Sequence, residues 1–207
     1  GATVVDESGN VVWADENLFL TSDLTGAEWT NLLVRTSFGA SGESAPSGVS
    51  DTPRKVIPNT DNNTHRADCS IVTVGGEVYT LSIYAKADEY SGLGISIDYS
   101  GVSTNYAIFD LLTGASSSVG AVDSVGMEDV GGGWWRCRIT GISGASFTRI
   151  NIGVMQTYAG SFSYAGDDSS GLHLVGAQLE RGSTLSAFKP TAGSAAYTPR
   201  ITHDSDG

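Results

Sequence analysis

Long apolar runs are missing from this chain. No stretch of about 18 apolar residues occurs in its 207 positions, so no helical membrane span is expected. Basic residues are few: 11 stand against 23 acidic ones, for a formal net charge of −12. A surface of that sign repels phosphate, which argues against nucleic acid and against an anionic membrane as partners. Methionine is limited to two residues and long helix formers are scarce. Gly reaches 27, and Ser, Thr, Asn and Asp are plentiful, a mixture that favours strands and turns. Only two cysteines occur, Cys69 and Cys137, each inside an alternating apolar run. They read as buried free thiols. A disulfide is the alternative and needs Cβ atoms about 4 Å apart. Neither has a His or Cys neighbour at ligand spacing, which argues against zinc. The chain starts at Gly1 rather than Met and carries no recognisable secretory leader, as expected of a processed or excised segment.

Catalytic signatures are lacking too. His65, His173 and His203 lie in unrelated contexts, and no Gly-x-Ser-x-Gly elbow occurs. The Gly131-Gly132-Gly133 run leads into a strand rather than a helix, so it is no phosphate loop. Glycoside cleavage needs two carboxylates across a cleft. Asp98, Glu128 and Asp129 are the candidates, and carboxylates in loops are ordinarily just solvated. No enzyme activity is expected.

What is present is alternation with a period of two. His65–Val74 puts Ala67, Cys69 and Ile71 on one face. Val78–Ala87 puts Tyr79, Leu81, Ile83 and Ala85 inward and Thr80, Ser82, Tyr84 and Lys86 outward. Leu93–Tyr99 sets Leu93, Ile95 and Ile97 against Ser96 and Asp98. Phe147–Gln156 sets Ile150, Ile152 and Val154 against Arg149 and Asn151. Leu172–Glu180 has Val175, Ala177 and Leu179 as its expected inner side. Further strands are expected at 17–20, 29–35, 54–57, 105–111, 116–122 and 134–142. Turn clusters separate these runs every 8–12 residues or so, the pattern of a sandwich or barrel. Residues 38–53 read as an exposed loop, and only 23–29 and 124–130 have helical prospects. Residues 1–16 read as an N-terminal arm, with a hairpin as one option. Residues 17–189 form the module, and 190–207 a linker or docking tail.

Four ordered stretches carry a resemblance to a known family. They are Asn17-Leu18-Phe19-Leu20-Thr21-Ser22-Asp23 with Trp29; Tyr79-Thr80-Leu81-Ser82-Ile83-Tyr84-Ala85-Lys86-Ala87; Glu128-Asp129-Val130-Gly131-Gly132-Gly133-Trp134-Trp135-Arg136-Cys137; and Gly176-Ala177-Gln178-Leu179-Glu180-Arg181-Gly182. Together they resemble the jelly-roll modules of bacteriophage tail, fibre and other virion proteins, themselves similar to carbohydrate-binding modules of the galactose-binding-like group. The resemblance covers about residues 17–190. It implies an all-β, antiparallel jelly-roll β-sandwich. It also implies non-catalytic binding of a polysaccharide or cell-surface glycan, on a virion surface or outside the cell. Host adhesion by a tail or head fibre is one setting. A structural decoration or assembly role among other virion subunits, with a homo-oligomer such as a trimer, is an alternative. A module appended to a secreted polysaccharide-degrading enzyme is another. Trp135 stands where such modules more usually carry Tyr, and either deepens the core or enlarges an aromatic platform. The family's usual metal is calcium, held by hard oxygen ligands. The resemblance points to Asp23, Gln178 and Glu180 as ligands, against a plain turn-capping role for Asp23.

Sugar recognition needs aromatic faces for ring C–H groups and planar polar groups for hydroxyls. The outward positions offer Trp134, Arg136 and Arg138 on one strand, Tyr84 and Lys86 on another, and Asp98, Arg149 and Asn151 on others, with Arg66 nearby in type. Each has a plainer reading: packing for Trp134, a solvated face for Tyr84 and Lys86, cross-strand pairing with carboxylates for the two arginines.

Overall fold

The alternating runs fold into two six-stranded sheets, every neighbouring pair antiparallel. The computed structural model describes residues 3–5, 11–13, 16–30, 33–97, 105–144, 147–193 and 196–197. The front sheet runs β12 (Ser116–Val119), β11 (Tyr106–Asp110), β10 (Gly92–Ile97), β15 (Phe147–Met155), β8 (Arg66–Val72) and β4 (Leu33–Val34). The back sheet runs β13 (Ser124–Gly131), β14 (Trp134–Ile142), β9 (Val78–Ala87), β17 (Leu172–Arg181), β6 (Arg54–Pro58) and β5 (Thr36–Ala40). Three small ribbons complete the strands: β1 (Thr3–Val5) with β2 (Val11–Trp13), β7 (Asn63–Thr64) with β16 (Ser163–Tyr164), and β3 (Glu16–Asn17) with β18 (Ala196–Tyr197). The fold is an antiparallel jelly-roll β-sandwich, and β1 and β2 form the hairpin expected as one option for the arm.

The two inner faces meet in one core. Leu81, Ile83 and Ala85 of β9 and Cys137 and Ile139 of β14 pack against Leu93 and Ile95 of β10 and Ile150, Ile152 and Val154 of β15. Each fully buried aliphatic side chain contributes about 1.5–3 kcal/mol. Cys69 and Cys137 are both buried and free, one on each sheet, and burial pushes both thiols well above their ordinary range.

Several expectations are corrected by what surrounds the strands. Trp29 does not open a strand. It lies in the single helical turn α1 (Ala27–Thr30), its ring 4.9 Å from Phe19 and its Nε1–H donating to Thr21 O at 3.0 Å. Residues 124–130 are not helical but form edge strand β13, because Val125 and Met127 reach the core while Glu128 and Asp129 stay in solvent. Val175 faces outward, not inward. Gly176 adopts φ +65°, a bulge there shifts the phase of β17, and the inner set becomes Leu172, Leu174, Ala177 and Leu179. Residues 36–40 are strand β5, and the rest of the expected exposed loop lies on the sandwich, burying Pro46 and Val49. The start of the expected tail is docked as well. Thr191 N donates to Ser22 Oγ at 2.9 Å, and Thr21 bridges Ala192. Residues 198–207 and Asp98 lie outside the described residues.

Candidate functional site

The outer face of the back sheet is a grid set by register. Trp134, Lys86 and His173 form one row; Arg136, Tyr84 and Val175 the next; then Arg138, Ser82 and Gln178; then Thr140, Thr80 and Glu180. Five of the expected binding residues therefore share one face. Arg149 and Asn151 do not join them. They project from β15 on the outer face of the front sheet, where Asn151 donates to Ser96 Oγ at 2.9 Å and Arg66 pairs with Asp68 at 2.8 Å. The strand cations thus fall on two opposite faces, and no single basic surface forms.

Two irregular segments cover the back grid, so the expected open aromatic platform is overturned. Trp134 is 2% exposed and Tyr84 6% exposed. Residues 41–50 cross the first rows: Trp134 Nε1–H donates to Ser44 O at 3.0 Å, Lys86 Nζ to Glu43 Oε2 at 2.8 Å, and Ser41 Oγ meets His173 Nδ1 at 2.8 Å. Val49, Ala45, Val130 and Phe188 then close an apolar cluster over Tyr84, Trp134 and Val175. Residues 183–189 cross the later rows. Arg136 Nη1–H donates to Ser186 O at 2.9 Å, and Phe188 meets Tyr84 edge-on at 6.0 Å between centroids. Residues 41–50 are rich in Gly, Ser, Pro and Ala and residues 183–189 are short and mixed, so no periodic signal marks either as a cover.

That cover also uses the expected calcium ligands. Gln178 accepts from Lys189 N at 2.7 Å and donates to Ala187 O at 3.3 Å. Glu180 accepts from the Ser186 hydroxyl and amide. Asp23 turns to its own loop, with Oδ1 accepting from Thr25 N at 3.1 Å and Thr25 Oγ1 at 2.7 Å. Among the described residues no three His, Cys, Asp or Glu side chains gather as a metal group. Each of the three expected donors thus holds hydrogen-bond partners within the chain.

Openings remain where the cover ends. At the loop edge, the β13–β14 turn Gly131–Gly133 separates two adjoining clefts. One, of about 540 Å³, lies between Glu43–Ser47 and Val130–Gly132, with Lys86 and Trp134 in its lining. The other, of about 390 Å³, is lined by Lys86, Leu111, Leu112, Asp129, Gly131–Gly133 and Trp135. All three turn glycines have positive φ, between 66° and 85°, a conformation that L side chains rarely adopt. The turn glycines line the clefts and put no side chains of their own into them. Trp135, opposite in direction to Trp134, does both things the sequence left open. Its ring packs on the core and still lines the smaller cleft, fixed by an Nε1–H bond to Leu111 O at 3.0 Å. Gly114 makes room for it, since a Cβ there would come 2.5 Å from the ring. Sequence reasoning had only the Tyr-to-Trp departure as a signal for this residue.

Charges around the clefts are paired. The hydrogen bond from Lys86 holds the Glu43 carboxyl below its ordinary range. His173 is held below the usual imidazole range by burial, outweighing the nearby Asp88 carboxylate at 3.2 Å. Asp88 also pairs with Lys55 at 2.7 Å. Lys55 in turn hydrogen-bonds Glu89 and holds that carboxyl at about 2. Asp129 Oδ1 accepts from Gly131 N at 2.8 Å, and Glu128 stands exposed on the edge strand.

No family model matches the chain, and no curated protein does. Ten solved chains match, and two of them show how loose the likeness is. A carbohydrate-binding module, TmCBM27, described for specific mannan recognition, is 14% identical and superposes with a TM-score of 0.39 over 83% of this chain and 98% of that one. A candidate sugar-binding protein from Bacteroides thetaiotaomicron VPI-5482 is 11% identical, with a TM-score of 0.38 over 87% of this chain and 92% of that one.

Proposed function

We propose that this chain binds a polysaccharide or cell-surface glycan without cleaving it, at the loop edge of the sandwich. The observation that supports this is the pair of clefts around Gly131–Gly133, where the Trp135 ring, the Lys86–Glu43 ion pair and Asp129 meet. An aromatic rim covers the C–H face of a sugar ring, and charged groups take its hydroxyls. Small-ligand sites run to about 300–1,000 Å³, the range of both clefts. Binding without turnover is supported by the way the cleft carboxylates are held. Glu43 is tied to Lys86 and its carboxyl is held low, and Asp129 is tied to the Gly131 amide. Glu43 is therefore not placed as the protonated acid that glycoside cleavage requires.

The setting we infer is a bacteriophage surface protein such as a tail or head fibre, and it rests on the sequence resemblance alone. A separate observation favours a second reading, a structural virion part. Val72, Val74 and Ile142 are exposed at the opposite end of the sandwich, brought near one another by the Thr73–Ser143 hydroxyl contact of 2.8 Å. Affinity electrophoresis through polysaccharide gels tests the first reading: retardation is expected, and is lost in Trp135→Ala. Stable trimers in solution, with no retardation in any gel, favour the second. Release of reducing sugar from any polysaccharide overturns the non-catalytic reading.

A further inference from the structure

Arg136 is 7% exposed, yet it has no carboxylate partner among the described residues. Its two Nη groups donate to neutral acceptors, Ser186 O at 2.9 Å and Ser82 Oγ at 3.3 Å, and its Nε–H is buried without any acceptor. Glu128, its register partner across β13–β14, stands exposed and forms no ion pair with it. A guanidinium removed from water without an opposite charge is costly, and more so with a donor left unmet.

Arg138 stands two residues along the same face, about 7 Å further on. It is exposed, and its guanidinium lies across Gly126 of the edge strand. A Cβ at Gly126 would come 2.7 Å from Arg138 Nε and 3.1 Å from Cζ, so only glycine lets the side chain lie there. Gly126, Met127, Glu128, Arg136, Arg138 and Leu185 enclose a pocket of about 250 Å³. Two guanidiniums face one carboxylate in it. The chain's overall charge of −12 does not cancel this locally, because at physiological salt distant charges are screened beyond about 8 Å.

We propose that this pocket is an oxyanion subsite, and that it takes the carboxylate or sulfate group of an acidic glycan. Guanidinium forks match planar and tetrahedral oxyanions, and Arg136 Nε supplies a donor already stripped of water. The assignment of a glycan as the carrier rests on the binding function proposed above. Trp134, Arg136 and Arg138 follow one another on one face of β14, so the pocket lies about 7–13 Å along the strand from the loop edge.

Two measurements on the whole chain test it. In the first, Arg Nε–Hε resonances are followed while sodium sulfate and sodium acetate are added separately. The Arg136 and Arg138 signals are expected to shift saturably with at least one of the two, and the shifts to vanish for Arg136 in Arg138→Gln. In the second, affinities are compared for polygalacturonate (carboxylate), dextran sulfate (sulfate) and dextran (uncharged). One acidic polymer is expected to bind about tenfold or more tightly than dextran. Arg138→Gln and Gly126→Ala are expected to reduce that preference severalfold. Shifts with a simple oxyanion but no binding of any polymer support the subsite and overturn the glycan reading. No saturable shift, with acidic and uncharged polymers bound alike, overturns the subsite and leaves the glycan reading standing.

Discussion

Two adjacent tryptophans, pointing to opposite sides of β14, have opposite consequences when removed. Trp134 is sealed under residues 41–50, so Trp134→Ala opens a cavity and is expected to cost about 3–5 kcal/mol in chemical denaturation. Trp135 is half-buried with its rim in the cleft, so Trp135→Ala is expected to weaken glycan binding about tenfold or more, at a smaller cost in stability. Sequence alone put the functional weight on Trp134. Both residues are aromatic in an outward-or-inward alternation, and which one meets solvent is decided by a covering loop, not by the strand. His173 gives a pH signature. It faces Asp88, Glu43, Lys55 and Lys86, and burial leaves its folded pKa below the unfolded value near 6.5. The unfolded chain then binds more protons in that interval, so this residue's contribution is complete above about pH 6.5 and is lost as pH falls below it. The drop in Tm from pH 7.5 to 5.5 is expected to be larger for the wild type than for His173→Gln, which keeps a neutral polar group at all pH.

At the level of elements, alternation made the long strands legible. Leu81, Ile83 and Ala85, Leu93 and Ile95, and Ile150 and Ile152 all face the core as their period of two requires. Val175 was misassigned because a single left-handed residue, Gly176, inserts a bulge that a strict period cannot represent. Gly176→Ala is expected to cost about 1–2 kcal/mol, since L residues resist that conformation and a Cβ would lie 3.1 Å from Phe188 and Tyr84. Equilibrium unfolding measures this, and an unchanged midpoint contradicts it. Edge strand β13 was unreadable for another reason. Its Met, Glu and Asp are also good helix-turn residues, and pairing on one side only, with β14, holds it extended. The cover was unreadable altogether. Residues 41–50 and 183–189 are held by side-chain bonds to Trp134, Lys86, Gln178 and Glu180 rather than by a ladder of their own.

For the whole molecule, the segment that follows the last long strand is part of the architecture. Residues 183–193 supply partners to Arg136, Gln178, Glu180 and Ser22. A chain ending at Gly182 is expected to lose several kcal/mol by denaturant titration, because four buried polar groups lose their partners at about 1–3 kcal/mol each before water replaces them. The sandwich also separates its surfaces: the loop edge carries the clefts, the back face is covered except at the small pocket beside Arg136 and Arg138, and the front face carries Arg149 and Asn151 apart from both. Where a ligand lands among these is the central question. A ¹H–¹⁵N titration with a bound polysaccharide fragment answers it most directly. The account predicts shifts concentrated in the Gly131–Gly133 amides, Lys86 and the Trp135 indole N–H. Shifts gathered instead at Ser96, Arg149 and Asn151 on the front sheet, with the glycine turn unmoved, would contradict it.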